Sequence, residues 1–256
     1  MTPELIVCGI LLIVITLYAI LGGADFGAGV WEFNLVMRAS KQERDLLYRA
    51  IGPVWEANHV WLIFALVLMF SAFPPAFAAV SRALWIPLLL AMGGIFARGV
   101  GFAFRAYAAG AVRQQALFGA IFAFASTSTP FFFGACAGAI ASGMPVDADG
   151  GFRGNHITGW ITALSTFCAF YAVGLCAYIS AIFMSREAQN EENTELMAVW
   201  RKRAMITGVI LGVFSGVGLF IVANYAPDLW KGFVSSALPL VVVSAAAGGC
   251  SMLCVY

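Results

Sequence analysis

Glu56 and His59 stand three residues apart in Gly52-Pro53-Val54-Trp55-Glu56-Ala57-Asn58-His59-Val60-Trp61-Leu62-Ile63, at the mouth of an apolar run that continues to Phe73. A carboxylate and an imidazole can each take up and release a proton near neutral pH, and burial tunes them to do so. Two further ionisable residues interrupt apolar runs: Asp25 in Gly22-Gly23-Ala24-Asp25-Phe26-Gly27 and Arg98 in Phe96-Ala97-Arg98-Gly99. Charged side chains are costly in hydrocarbon, so they occur there as pairs, relays or ion paths. The chemistry these types offer is proton transfer or charge pairing inside a membrane.

The elements that must position them are membrane helices. Of the 256 residues 62% are hydrophobic and 11% charged, against about 25% charged in soluble domains. Segments of about 20 apolar residues are long enough to cross a bilayer. Seven occur: Leu5 to Val36, Trp55 to Phe73, Leu84 to Phe104, Leu117 to Ile140, Ile157 to Met184, Ala204 to Tyr225 and Phe233 to Val255. The expected fold is an all-α polytopic bundle of about seven transmembrane helices, one transmembrane domain over residues 1–256. The first segment would be about 48 Å long as one helix, so it must tilt, kink near Gly22-Gly23 or project from the membrane. It is also too long for a signal-peptide h-region and has no basic leader, so it is expected to stay in place.

Charge sets the orientation. Arg38, Lys41, Arg44, Arg49, Arg98, Arg105, Arg113, Arg186, Arg201, Lys202 and Arg203 fall at or near the odd-numbered connections, and only Arg82, Arg153 and Lys231 on the other side. The positive-inside rule then puts the amino terminus outside and the odd connections in the cytoplasm. Counted from the outer face, Asp25 lies about 30 Å beyond Leu5 and Arg98 about 21 Å beyond Leu84. Asp25, Glu56, His59 and Arg98 are thus expected together in the cytoplasmic half. Glu32 follows Asp25 by seven residues on the same helix face and Arg105 lies farther along its helix, so both can extend the set to water. Taken alone, each reads as an interface anchor whose stem snorkels.

Two readings of this cluster are open. In one, Asp25, Glu56 and His59 form a proton inlet. In the other, Asp25, Glu56 and Arg98 form a static ion-pair network that fixes helix register. Trp55 and Trp61 border the cluster, yet they fit equally with Trp31, Trp85, Trp160, Trp200 and Trp230 as an aromatic belt at the interfaces. His59 is the one histidine within a span, His156 lying in an outer connection, which excludes a bis-histidine haem on this chain. A single haem on His59 stays open as an alternative, and no metal or cofactor ligand is assigned. The six cysteines have no paired ligand spacing and read as small hydrophobes. Ser126-Thr127-Ser128-Thr129-Pro130 marks an expected kink whose freed carbonyls nearby hydroxyls can satisfy. Small residues recur every fourth position at Gly23 and Gly27, at Gly93, Ala97 and Gly101, at Gly134 and Gly138, and at Gly208, Gly212 and Gly216, a spacing that lets helices approach closely. The last stripe fits a partner's helix equally well. The basic connection from Met37 to Val54 and the acidic one from Ser185 to Arg203 are the two long ones, the second read as a solvated helix or loop.

Leu17 to Gly29, Gly52 to Ile63, and Arg98-Gly99-Val100-Gly101-Phe102-Ala103-Phe104-Arg105 together resemble subunit II of the cytochrome bd-type quinol oxidases, including the cyanide-insensitive branch. The resemblance implies a terminal oxidase of the bacterial inner membrane that oxidises quinol and reduces dioxygen to water. It implies haem b and haem d chiefly on a partner, subunit I, with this chain supporting assembly and cytoplasmic proton delivery. Asp25 and Glu56 match the acids of the first two motifs. The third motif usually carries an acid where this chain has Ala103, and the family continues through an eighth helix, so a truncated or short form is expected here. Membrane lipid and quinone are the other expected partners; nucleic acid is not. The competing readings are an ion-coupled transporter using Asp25, Glu56 and His59, and a membrane scaffold.

Overall fold

The computed structural model describes residues 2–35, 41–107, 112–144, 152–155 and 157–255, with the side chains of Asn34, Leu35, Lys41, Glu56, Ala106, Val112 and Val255 excepted. The elements are α1 (Pro3–Leu35), α2 (Lys41–Ala72), α3 (Pro74–Ala83), α4 (Trp85–Tyr107), α5 (Val112–Ala141), α6 (Ala163–Asn190), α7 (Thr194–Tyr225), α8 (Pro227–Ser235) and α9 (Leu238–Val255). Among the described residues α1, α2, α4, α5, α6 and α7 are each long and apolar enough to cross a membrane. The seventh expected span, Phe233 to Val255, is interrupted: α8 and α9 are long and apolar enough only as a pair, and they are bent by 84° at their break.

The helices differ from the hydropathy reading where a helix is amphipathic rather than uniformly apolar. The basic stretch before Trp55, read as a connection, is helical from Lys41 onward. Its Leu46, Leu47 and Ile51 recur at helical spacing and are each 1% exposed, so one face packs inward while the charges stay out. The connection from Ser185 to Arg203 is a helical hairpin. α6 runs to Asn190 and α7 begins at Thr194, its first turn capped by Asn193 Oδ1 accepting from the Leu196 N–H at 3.0 Å. Glu192 makes the reversal at φ +57°. α6 starts at Ala163 rather than near Ile157, because Thr162 and Ser165 form a reciprocal capping box. Pro74 and Pro75 end α2 and open α3, as prolines do at a first helical turn.

α1 is the centre of the bundle, packed on α2, α5 and α6, while α4 lies on α5 and α7 on α6. Glycine decides how close these approaches are. A Cβ built at Gly27 would sit 1.9 Å from the Cys176 carbonyl oxygen, and at Gly134 2.3 Å from that of Cys168, so backbones touch at both places. A Cβ at Gly101 would come close to α5 as well, 2.8 Å from the Phe122 backbone nitrogen, but Gly93, Gly212 and Gly216 have nothing within 4 Å. α1 passes Gly22-Gly23 as one continuous helix and α5 continues through Pro130. The hydroxyls of Thr127, Ser128 and Thr129 bond the carbonyls of Ala123 and Ala125.

At the basic end, α2 is clasped to the α6–α7 hairpin. Arg203 donates to Glu43 at 3.0 Å and Arg49 grips both oxygens of Glu191 at 3.0 Å. Trp200 is fully buried, its ring 5.7 Å edge-on from Trp31, whose Nε1–H donates to the Ala177 carbonyl at 2.8 Å. Trp200 is a core residue rather than an interface anchor, and Trp31 packs against it partly buried.

Candidate functional site: buried arginine–carboxylate pairs

Asp25 of α1 and Arg98 of α4 are both 0% exposed. Arg98 Nη1 donates to Asp25 Oδ2 and Nη2 to Asp25 Oδ1, each at 2.5 Å, a fork-to-fork pair. The Nε–H donates to Ser126 Oγ of α5 at 3.2 Å, and Nη2 also reaches the Asp25 carbonyl at 3.5 Å. Asn58 of α2 donates to Asp25 Oδ2 at 3.2 Å. The guanidinium lies 4.6 Å from the ring centre of Phe26 and 5.3 Å from that of Phe122, where the ring faces attract a cation. One side chain from each of four helices therefore converges on a single charge pair. α4 packs mainly on α5, so only a side chain as long as arginine can carry its charge across to α1.

A second pair repeats the first seven residues along both helices. Arg105 Nη1 donates to Glu32 Oε1 at 2.5 Å and also to Tyr48 Oη, and the guanidinium stacks 3.7 Å over the Tyr48 ring. Seven residues are two helical turns, about 10.5 Å, and the matched offsets show that α1 and α4 run in the same direction. Glu32 is only 3% exposed. Taken alone each reads as a snorkelling anchor, but α2 and α5 pack around them and the two form a pair that continues the charged set. Gly119 of α5 leaves the room, since a Cβ there would sit 2.8 Å from Arg105 Nη1. Linking the two pairs are Tyr48, Trp55, Phe102 and Phe122, with ring centres 5.9 to 6.2 Å apart.

The other expected site residues fall around this core. Glu56 lies on α2 next to Trp55, and its side chain is outside the described residues. His59 is half-buried and 2.8 Å from the Trp55 carbonyl through Nδ1. A carbonyl only accepts, so Nδ1 is the donor in this contact. His59 makes no hydrogen bond to Asp25, because its neighbour Asn58 holds the inward face of α2. Trp55 stacks on Phe102 at 5.9 Å and is part of the aromatic layer. Among the described residues Trp61 takes no part in the hydrogen bonds or ring contacts of the cluster.

Asn58, Tyr48 and Ser126 escaped the sequence reading as partners of the charges. Asn58 was the legible one, a polar side chain between two acids' worth of motif in an apolar helix. Three buried polar atoms at the site lack a hydrogen-bond partner: Glu32 Oε2, Asn58 Oδ1 and Trp55 Nε1. Among the described residues no group of three or more histidine, cysteine or acidic side chains is placed to hold a metal, and all six cysteines are free thiols.

Fold and site define a class: a multi-pass helical membrane protein with arginine–carboxylate pairs buried where four helices meet. Residues 3–255 match the family described as cytochrome bd terminal oxidase subunit II, and the chain belongs to that family of the bacterial inner membrane. It is 27% identical over 224 residues to the cytochrome bd ubiquinol oxidase subunit 2 of Bacillus subtilis (strain 168), covering 87% of this chain and 63% of that relative. It is 24% identical over 193 residues to the cytochrome bd-I ubiquinol oxidase subunit 2 of Escherichia coli (strain K12), covering 74% of this chain and 50% of that relative. The chain thus spans between half and two thirds of the length of these curated relatives. In fold it is similar to a chain of the bd oxidase from Geobacillus thermodenitrificans, with a TM-score of 0.70, 20% identity and coverage of 97% of this chain and 77% of that one. Membership does not favour the ion-coupled transporter.

Proposed function

We propose that this chain works as the second subunit of a quinol-oxidising, dioxygen-reducing terminal oxidase, assembled with a haem-bearing subunit I. The observation that carries the reading is the family match over nearly the whole chain, with Asp25, Asn58 and Arg98 of the charge cluster drawn from the three motifs that carry the resemblance. Two quinols give four electrons to one dioxygen, which takes four protons to become two waters. With the basic end in the cytoplasm, those protons are drawn from inside while quinol releases its own outside, so charge separates without pumping.

The described residues do not fit a bis-histidine haem, since His59 is the single histidine among them. In this reading haem b and haem d sit on subunit I and supply the electron transfer and dioxygen chemistry when bound there.

The chain's own side chains then divide the work. Asp25, with both oxygens on Arg98 and one also on Asn58, is the fixed negative charge that ties four helices together. Glu32, whose Oε2 is buried without a partner, and Glu56 are the carboxylates that load protons at the basic end. His59, with Nδ1 on the Trp55 carbonyl, presents Nε2 as a relay toward the neighbouring subunit. Complementation of a strain lacking this chain tests the division: wild type restores quinol-dependent oxygen uptake, and Glu56→Gln restores haem content but slow uptake. Full uptake by Glu56→Gln overturns the proton role, and failure of the wild-type chain to restore uptake overturns the oxidase reading.

A further inference from the structure

The two buried pairs share the same two helices but are gripped differently. Arg98 closes on Asp25 with both terminal nitrogens, one to each carboxylate oxygen. Seven residues farther along, Arg105 meets Glu32 through Nη1 and Oε1 alone, although glutamate has one more methylene with which to reach. Glu32 Oε2 is left buried without a hydrogen-bond partner, an arrangement that costs free energy and calls for a cause. Crowding from α5 is not that cause, since the residue it places beside both Arg105 and Glu32 is Gly119.

The cause lies in what α2 presents to each pair. At Asp25 it presents Asn58, whose amide donates to the carboxylate at 3.2 Å and so works alongside Arg98. At Glu32 it presents Tyr48, which acts on the cation instead: Arg105 Nη1 donates to Tyr48 Oη, and the guanidinium lies 3.7 Å over the ring centre. A ring face and a phenol oxygen together compete for a guanidinium that otherwise grips a carboxylate with two parallel bonds. Tyr48 is itself fixed, its ring 6.2 Å from that of Phe102 and 6.1 Å from that of Phe122. The other charges near this level are engaged or turned outward. Arg44, one turn before Tyr48, has an interaction of its own, Arg203 pairs with Glu43, and Asp45 and Arg113 are exposed near the starts of α2 and α5. On α1 the next acid toward the bundle centre is Asp25, already held by Arg98.

We propose that Tyr48 is a positioning residue for proton uptake at Glu32: by holding Arg105 it keeps the arginine from closing on both carboxylate oxygens, so Oε2 stays open to accept a proton. The inference rests on the reading of Glu32 as a proton-loading carboxylate of the oxidase. Without Tyr48, Arg105 forks onto Glu32 as Arg98 does onto Asp25, and the second pair becomes a strut like the first. One more charge-assisted hydrogen bond to the ionised carboxylate changes an equilibrium about tenfold, and uptake through Glu32 slows by about that factor.

The test uses the complete membrane complex carrying Tyr48→Leu, which removes hydroxyl and ring, or Tyr48→Phe, which removes the hydroxyl alone. Quinol-dependent oxygen uptake is measured in water and in deuterium oxide, each variant with and without Glu32→Gln. Tyr48→Leu is expected to slow uptake about tenfold and Tyr48→Phe about threefold, both with a larger deuterium isotope effect than the parent. Neither is expected to slow uptake further once Glu32→Gln is present, whereas a merely structural role would slow both backgrounds alike. A second readout is independent of activity: in unfolding by sodium dodecyl sulfate, the coupling between Glu32→Gln and Arg105→Gln is expected to grow in the Tyr48→Leu background. Tyr48→Phe takes its place in both measurements if Tyr48→Leu does not assemble. Uptake at the parent's rate in either variant, equal slowing in both backgrounds, or unchanged coupling would each overturn the proposal. Full uptake by Glu32→Gln alone would overturn the proton role on which it rests, with the coupling still reporting whether Tyr48 restrains Arg105.

Discussion

Replacing Arg98 by methionine removes every charge-assisted bond to Asp25 but keeps an unbranched stem in the space. Asp25, 0% exposed, would retain one partner, the Asn58 amide at 3.2 Å. A buried charge that loses its partner costs about 3–5 kcal/mol, and the loss of attraction to the Phe26 and Phe122 rings adds to it. Asp25→Asn with Arg98→Met removes both charges while the new amide can still meet Asn58, so the double variant should recover to within about 1 kcal/mol of the parent. Unfolding of the purified complex by sodium dodecyl sulfate, followed by intrinsic fluorescence, gives the three differences of a double-mutant cycle. A structural role for the Asp25–Arg98 pair is refuted if Arg98→Met alone costs under about 1 kcal/mol, or if the double variant is no more stable than the single one. Oxygen uptake on the same samples separates the two roles of Asp25. Recovery of stability with turnover makes it a strut, and recovery of stability without turnover makes it a proton carrier as well.

Four further substitutions probe the packing. Gly27→Ala places a methyl 1.9 Å from the Cys176 carbonyl oxygen and should cost about 1–3 kcal/mol, whereas Gly212→Ala, with nothing within 4 Å, should stay within about 0.5 kcal/mol; the order of their unfolding midpoints checks both. Gly119→Ala meets the flexible tip of Arg105 at 2.8 Å, so it should cost less than Gly27→Ala and abolish most of the coupling between Glu32→Gln and Arg105→Gln in a cycle. Tyr178→Phe breaks the 2.8 Å bond to Ser251 that ties α6 to α9, and a cycle with Ser251→Ala should return about 0.6 kcal/mol.

Apolar runs and charge counting were enough to draw the helical bundle and to bring Asp25 and Arg98 together, because depth along a helix is fixed by its rise. The same method fails where a helix is only half apolar. Leu46, Leu47 and Ile51 are diluted by Arg44, Asp45 and Arg49, so the average hides a buried face. Trp200 reads as an interface residue for the same reason. Glu32 and Arg105 illustrate a different limit: a charge near a helix end looks solvated until a neighbouring helix, here α2 with Tyr48, is known to cover it. His59 shows that adjacency is not direction, since one residue's step turns about 100° around α2 and Asn58 takes the place beside Asp25. Of the glycine stripes, only a structure separates Gly27, in backbone contact, from Gly212, in the open.

The central claim, that this chain completes a haem-bearing oxidase, is tested most directly by tagging it in its native membrane, purifying it in mild detergent and recording the visible spectrum with quinol-dependent oxygen consumption. Co-purification of a second polytopic chain carrying haem b and haem d absorption, with oxygen consumed on quinol addition, is the expected result. A colourless protein that recovers alone and consumes no oxygen would contradict it.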